Sequence, residues 1–268
     1  LSVGTNTFYA KVYVLNNLSC FDIKSFKITL YSPPTFTLDE TYFICPNSGS
    51  VTISLPSSSS YIWRNEMTNP ASTIGINQTI NIQQPGNYSA TIFQNHDTLQ
   101  CSTTKNFSVE NSNLATFESI KIRDFSNNNT ITVEVSGNGD YEFSIDGFNY
   151  QDSNFFSNLN TGQYTIYVRN KNGCGIISRN VYLLDYPKFF TPNGDGYNDY
   201  WQVNLSIKEP NMIINIFDRF GKLVANYKGL NNGWDGNLNG KPLPSDDYWF
   251  VITRQNGDIF KGHFSLKR

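Results

Sequence analysis

Apolar and polar positions alternate with a period of two along most of this chain, the spacing of strands buried on one face. Three stretches repeat one pattern. The first is Phe8-Tyr9-Ala10-Lys11-Val12-Tyr13-Val14, then Cys20, then Phe26, Ile28 and Leu30. The second is Tyr88-Ser89-Ala90-Thr91-Ile92, then Cys101, then Phe107 and Val109. The third is Tyr164-Thr165-Ile166-Tyr167-Val168, then Cys174, then Val181 and Leu183. Each reads as a strand, a polar turn with one Cys, and a second strand. The three Cys lie 81 and 73 residues apart, a period that suits a sandwich of about seven short strands. No stretch carries convincing 3.6-residue periodicity.

These repeats predict an all-β chain of tandem immunoglobulin-like β-sandwich modules ending in a small β-sandwich domain. Residues 1–34 read as the last hairpin of one module, with Pro33-Pro34 as a stiff linker. Residues 35–111 form the second module. There Val51, Ile53 and Leu55 alternate, as do Ile80 and Ile82, and Tyr61-Ile62-Trp63 has the pattern of a central strand. Pro85-Gly86-Asn87 turns the chain into the Tyr88 strand. Residues 112–185 form the third module, with Ile131, Val133 and Val135 on one strand and Tyr141, Phe143 and Ile145 on the next. Asp146-Gly147 is a hairpin signal there. Residues 186–268 form the last domain. The spacing of the second module resembles the polycystic-kidney-disease-like, immunoglobulin-like repeats of bacterial surface proteins.

Composition narrows the function. Aromatics make up 15% of the chain and charged residues 16%, with a net charge of −2. Without a basic field, nucleic-acid binding is not expected, and the aromatics read as strand core. No apolar run is long enough to span a bilayer as a helix. The chain opens at Leu1 within the end of a module, with no signal peptide. It therefore reads as the C-terminal part of a longer protein whose export signal lies upstream.

The four Cys are too dispersed for a zinc site and suit disulfides of an exported protein. Three pairings are formally open. The repeat favours Cys45 with Cys101, near the first and last strands of the second module, leaving Cys20 without a partner and Cys174 unpaired.

In the last domain, strands are expected at 200–206, 212–218, 222–225 and 247–254. Asn256-Gly257 then turns the chain into a final strand. Tyr248, Phe250 and Ile252 share one face of the 247–254 strand, and Trp249, Val251 and Thr253 the other. On the final strand Phe260, Gly262, Phe264 and Leu266 share one face and Lys261, His263, Ser265 and Lys267 the other. Five motifs stand here in order. They are Phe190-Thr191-Pro192-Asn193-Gly194-Asp195-Gly196 with Asn198-Asp199, Ile216-Phe217-Asp218-Arg219-Phe220-Gly221-Lys222 and Gly233-Trp234-Asp235-Gly236. Gly240-Lys241-Pro242-Leu243-Pro244-Ser245-Asp246-Asp247-Tyr248-Trp249 follows, and Lys261-Gly262-His263-Phe264-Ser265-Leu266-Lys267-Arg268 closes the chain.

With these motifs, residues 186–268 resemble the gliding-motility-associated C-terminal domain, the type B sorting domain of the type IX secretion system of Bacteroidota. The resemblance implies a signal for passage through the type IX translocon and attachment to an outer-membrane β-barrel partner of the PorP/SprF type, with Lys261 to Arg268 as the sorting and partner-binding segment. It implies a cell-surface, outer-membrane-associated protein, as at the end of a SprB-like gliding adhesin. The last hairpin is expected to offer a free edge for strand addition. The same signal on a secreted enzyme or carbohydrate-binding protein, active through an upstream domain, is the alternative. Many more repeats of about 75–80 residues upstream would indicate a stalk.

Other constellations are weaker. Asn193, Asp195, Asn198 and Asp199 would be the ligands if the Gly-rich loop held Ca2+, but the ligand set is incomplete and favours a turn closed by its own Asn and Asp side chains. No other cofactor is expected. Trp234-Asp235-Gly236 could stack on a sugar, though a Trp beside a tight turn is more often a cover for the core. His96 and His263 stand apart from any nucleophile, so no catalytic role is expected.

Overall fold

A computed structural model describes the backbone of residues 1–268 and every side chain but that of Asn17. The chain divides into two compact units, residues 1–113 with 172–174, and residues 114–171 with 175–268.

The first unit opens with an antiparallel ribbon, β1 (Gly4–Val14) and β2 (Asn17–Leu30), in register from Gly4↔Leu30 to Tyr13↔Phe21. Tyr9, Val12, Phe21, Ile23 and Phe26 along it are exposed. The β-sandwich that follows holds β3 (Thr41–Ile44), β4 (Val51–Ser54), β5 (Ser60–Asn65), β6 (Ser72–Gly75), β7 (Thr79–Ile82), β8 (Gly86–His96) and β9 (Leu99–Asn111). Its larger sheet runs β3-β9-β8-β5-β6, and β4 pairs with β7. The expected alternation appears as burial. Ile53 and Ile82 join Trp63, Tyr88, Ala90, Ile92, Phe107 and Val109 in one core. Trp63 is fully buried and its Nε1–H donates to the Asn77 carbonyl at 2.8 Å, which removes the cost of burying that polar group.

The second unit begins with β10 (Thr116–Arg123), β11 (Asn129–Ser136), β12 (Tyr141–Ser144), β13 (Phe155–Leu159), β14 (Gly162–Asn170) and β15 (Gly175–Leu183). Sheets β10-β11-β13 and β12-β14-β15 enclose a core of Ile131, Val133, Phe143, Ile166, Val168 and Val181. The terminal domain adds β16 (Phe189–Phe190), β17 (Ile213–Phe217), β18 (Leu223–Lys228), β19 (Asn237–Leu238), β20 (Lys241–Pro242), β21 (Asp246–Thr253) and β22 (Ile259–Leu266). Its main sheet runs β16-β22-β21-β17-β18, with β19–β20 a separate ribbon. Ile214, Ile216, Tyr248, Phe250, Ile252, Phe264 and Leu266 bury one face of the main sheet together with Trp201 and Trp234.

Two expectations are corrected here. Residues 200–206 form no strand. Trp201 bridges only Trp234 and Asn204 only Asp185, and a 3-10 turn, Ser206–Lys208, follows a left-handed Leu205. The alternating Trp201 and Val203 are buried, but their backbone meets a different segment at each bridge, so no ladder forms. The disulfide joins Cys45 to Cys174, and among the described residues Cys20 and Cys101 are free. Parallel pairing of β3 to the end of β9 sets Ile44 opposite Asn111. Cys101 lies ten residues back along β9, roughly 30 Å at ~3.3 Å per residue. A disulfide needs Cα atoms within about 7 Å. Cys174 instead sits in the β14–β15 turn, whose residues Asn172–Cys174 group with the first unit.

Candidate functional site

β21 and β22 pair from Asp246↔Leu266 to Thr253↔Ile259. Asn256-Gly257 turns the hairpin, with Gly257 at φ +90° and the Arg254 N–H donating to the Asp258 carbonyl at 2.8 Å. The pleat then sorts the final eight residues. Phe264 and Leu266 are buried. Gly262 packs beneath Phe250, where a Cβ would come within 2.6 Å of the ring. Ser265 Oγ donates to Asp247 at 2.5 Å.

Arg268 is exposed yet engaged. Its N–H donates to Ser245 Oγ, its Nε–H to the Leu243 carbonyl at 3.0 Å and its Nη2–H to the Gly236 carbonyl at 3.1 Å. Lys261, His263 and Lys267 point outward. Trp249 lies opposite His263 on β21 and is 44% exposed, with the two rings 6.4 Å apart. Lys267 Nζ lies 4.5 Å above the exposed Phe189 ring. The outward stripe is therefore cationic and aromatic.

The final strand is not the outer edge expected of it. β16 lies beside it in parallel, matching Phe189 to Ser265 and Phe190 to Leu266. The Lys267 N–H also donates to the Phe190 carbonyl at 3.1 Å. The cause is Phe190, which is fully buried against Trp234 and Phe264 and draws the entering chain alongside β22. Among the described residues, Ile259–Phe264 has no strand on that side, and β18 is the outer strand at the far edge.

The four candidate calcium ligands fall in one turn. Asp199 accepts the Gly194 N–H at 2.7 Å and the Gly196 N–H at 2.8 Å. Asp195 accepts the Tyr197 N–H at 2.8 Å and the Asn193 side-chain amide at 2.8 Å. These bonds, the Tyr197 amide first, hold the Asp195 carboxyl below its ordinary pKa. Asn193 accepts the Asp195 N–H, and Asn198 takes a left-handed φ of +50°. Among the described residues no three or more His, Cys, Asp or Glu gather as a metal site. Trp234 is buried against Tyr248, and its Nε1–H donates to the Asn237 carbonyl at 2.9 Å, so its ring is core.

One cluster escaped the sequence reading. Arg254 Nη1–H donates to Asp124 Oδ2 at 2.7 Å, and Nε–H donates to Glu209 Oε1 at 3.0 Å. Arg254 Nη2 forms a further ion pair with Glu209. Only 6% of the Arg254 side chain and 7% of that of Asp124 are exposed. Burial pushes the Asp124 carboxyl above its ordinary pKa, against the pull of Arg254. Burial also opposes the Arg254 charge, but Glu209 and Asp124 outweigh it and raise its pKa. The signal was legible: the inward register Tyr248, Phe250, Ile252 continues to Arg254, a charge on the buried face.

Residues 184–266 match the CHU_C type IX secretion signal domain. No curated protein sequence matches the chain. Among solved structures, immunoglobulin domains 1–5 of Sidekick-1 align at 12% identity, covering 98% of this chain and 66% of that one, with a TM-score of 0.34. The eight N-terminal immunoglobulin domains of Down Syndrome Cell Adhesion Molecule align at 13% identity, covering 98% and 39%, with a TM-score of 0.30. Drosophila N-cadherin EC1-4 aligns at 8% identity, covering 85% and 73%, with a TM-score of 0.21. The chain thus spans under two thirds of the length of the first two. The protein carries a type IX secretion signal, which directs export by the type IX machinery to the cell surface or the extracellular space. Among the described residues no helix is long and apolar enough to cross a membrane.

Proposed function

We propose that this chain, with its type IX secretion signal over residues 184–266, belongs to a cell-surface adhesin serving gliding motility. The β-sandwich modules are its spacer repeats. The terminal domain is read by the type IX translocon and then held by an outer-membrane β-barrel of the PorP/SprF type. The role is non-enzymatic and needs no cofactor. The observation that carries this reading is the signal match, which ends on the strand presenting the outward stripe. Lys261, His263 and Lys267 take no part in the core, so they are free to meet a partner. Edge-on strand addition beside Ile259–Phe264 is a second mode of contact open to the same partner.

The test places the whole 268-residue chain behind a periplasm-directed fluorescent reporter in a bacterium with a type IX system and its barrel. The reporter is expected at the cell surface, accessible to added protease. Lys261→Glu, His263→Glu and Lys267→Glu together should keep it in the periplasm with the domain folded. Deleting the barrel should release exported reporter to the medium or block export. A wild-type reporter that stays periplasmic would sink the export role. Normal export and retention of the triple variant would move recognition off this stripe.

A further inference from the structure

We infer that the β10–β11 turn is a built-in part of the terminal domain, so that residues 114–171 and 175–268 fold as one cooperative unit. Domains joined by a tether have an exposed linker, often rich in Pro, Gly and polar residues. No such slack exists here. Leu183 and Leu184 are consecutive and fully buried, yet Leu183 belongs to the core of the third module and Leu184 to that of the terminal domain.

The turn itself crosses over in the same way. Asp124 and Phe125 follow β10 directly, but Phe125 is buried in the terminal core. Its ring stacks on Phe260 of β22 at 4.2 Å and meets Tyr186 at 6.1 Å. Phe125 has φ +55°, the left-handed region, which is a rare conformation for a bulky side chain. Such a backbone persists only where its surroundings over-determine it, and the surroundings here come from the other module. The Phe125 N–H donates to the Leu184 carbonyl at 3.3 Å, and the Leu184 N–H donates to Asp124 at 2.9 Å.

Asp124 completes the link through charge. It accepts from Arg254, whose Nη2–H also donates to the Tyr182 carbonyl at 3.3 Å. Arg254 in turn closes the hairpin turn that launches β22. A charge this deeply buried needs all its partners, since losing one strands the others in a low dielectric. The last strand therefore depends on a residue about 130 positions upstream. Asp124 and Phe125 are positioning residues for β22.

Native-state hydrogen exchange, read by mass spectrometry on the whole chain, tests this without any secretion step, so it stands apart from the export reading. Val133→Ala opens a cavity in the third module, where Val133 is fully buried in that module's own core. In one cooperative unit, the most protected amides of β21 and β22 should lose protection by the same factor as those of β11 and β14, about 10-fold or more. Asp124→Asn keeps shape and removes charge, and should lower both regions together. If Val133→Ala unfolds or loosens β11 and β14 while β21 and β22 exchange as in wild type, the inference is overturned. Wild-type exchange throughout in Asp124→Asn would remove Asp124 from the coupling.

Discussion

Asp146 closes its turn with a single carboxylate. Oδ1 accepts the N–H groups of Phe148 and Asn149, both at 2.8 Å, and Oδ2 accepts the Asn149 side-chain amide at 2.7 Å. Ser144 Oγ donates to it as well, at 2.8 Å. These donors, the Asn149 backbone N–H first and its side-chain amide next, hold the carboxyl far below its ordinary 3.8. The folded chain therefore binds this proton less readily than the unfolded chain. The stabilisation is complete above 3.8 and is lost as pH falls through the depressed folded value. Carbon-detected titration should place the Asp146 midpoint well below 3.8, and a midpoint at or above it would remove the turn network. Gly236 is the opposite kind of position, set by space. It has φ +76°, and a Cβ would meet Leu266 Cδ1 at 2.7 Å and Phe190 Cζ at 3.3 Å. Gly236→Ala should cost about 1–3 kcal/mol from strain and overpacking, read as a lower urea midpoint by tryptophan fluorescence. An unchanged midpoint would contradict the packing around β22.

At the scale of elements, alternation was the legible part. β21 and β22 bury the residues their period of two selects, and Trp63 and Ile131 sit at the centre of their modules as their strands require. What alternation reports is burial, not a ladder partner. That is why 200–206 looked like a strand, and why β16, only two residues long, went unseen beside β22. The pairing with β16 changes what a C-terminal deletion can show. Removing Lys261 to Arg268 would take Phe264 and Leu266 from the core along with the three anchors of Arg268. Truncating a buried Phe or Leu costs about 2–5 kcal/mol, and a whole domain has only about 5–15 kcal/mol to lose. That deletion should unfold the domain, seen as loss of near-ultraviolet circular dichroism. The triple glutamate substitution on the outward face should keep the wild-type spectrum. A folded deletion variant would show that β22 is dispensable to the sheet.

At the scale of the whole molecule, one covalent bond was misjudged because a repeat predicts equivalence within a module, whereas Cys174 is carried on a hairpin turn that leaves it. The Cys45–Cys174 bond spans 129 residues. Closing a loop that long restricts the unfolded chain by roughly 5 kcal/mol in the chain-entropy account, more than several surface interactions together. Such a bond also fits export to the cell surface or the extracellular space, where disulfides persist. Protein made in the periplasm, alkylated without reduction and digested, should yield one linked peptide pair joining Cys45 to Cys174, with Cys20 and Cys101 alkylated. Cys45→Ser should leave Cys174 open to alkylation, increase hydrogen exchange in the strands around the buried Trp63, and reproduce the effect of reductant on wild type. A Cys45–Cys101 peptide would return the second module to the self-contained closure its repeat implies, and four alkylated cysteines would remove the disulfide altogether.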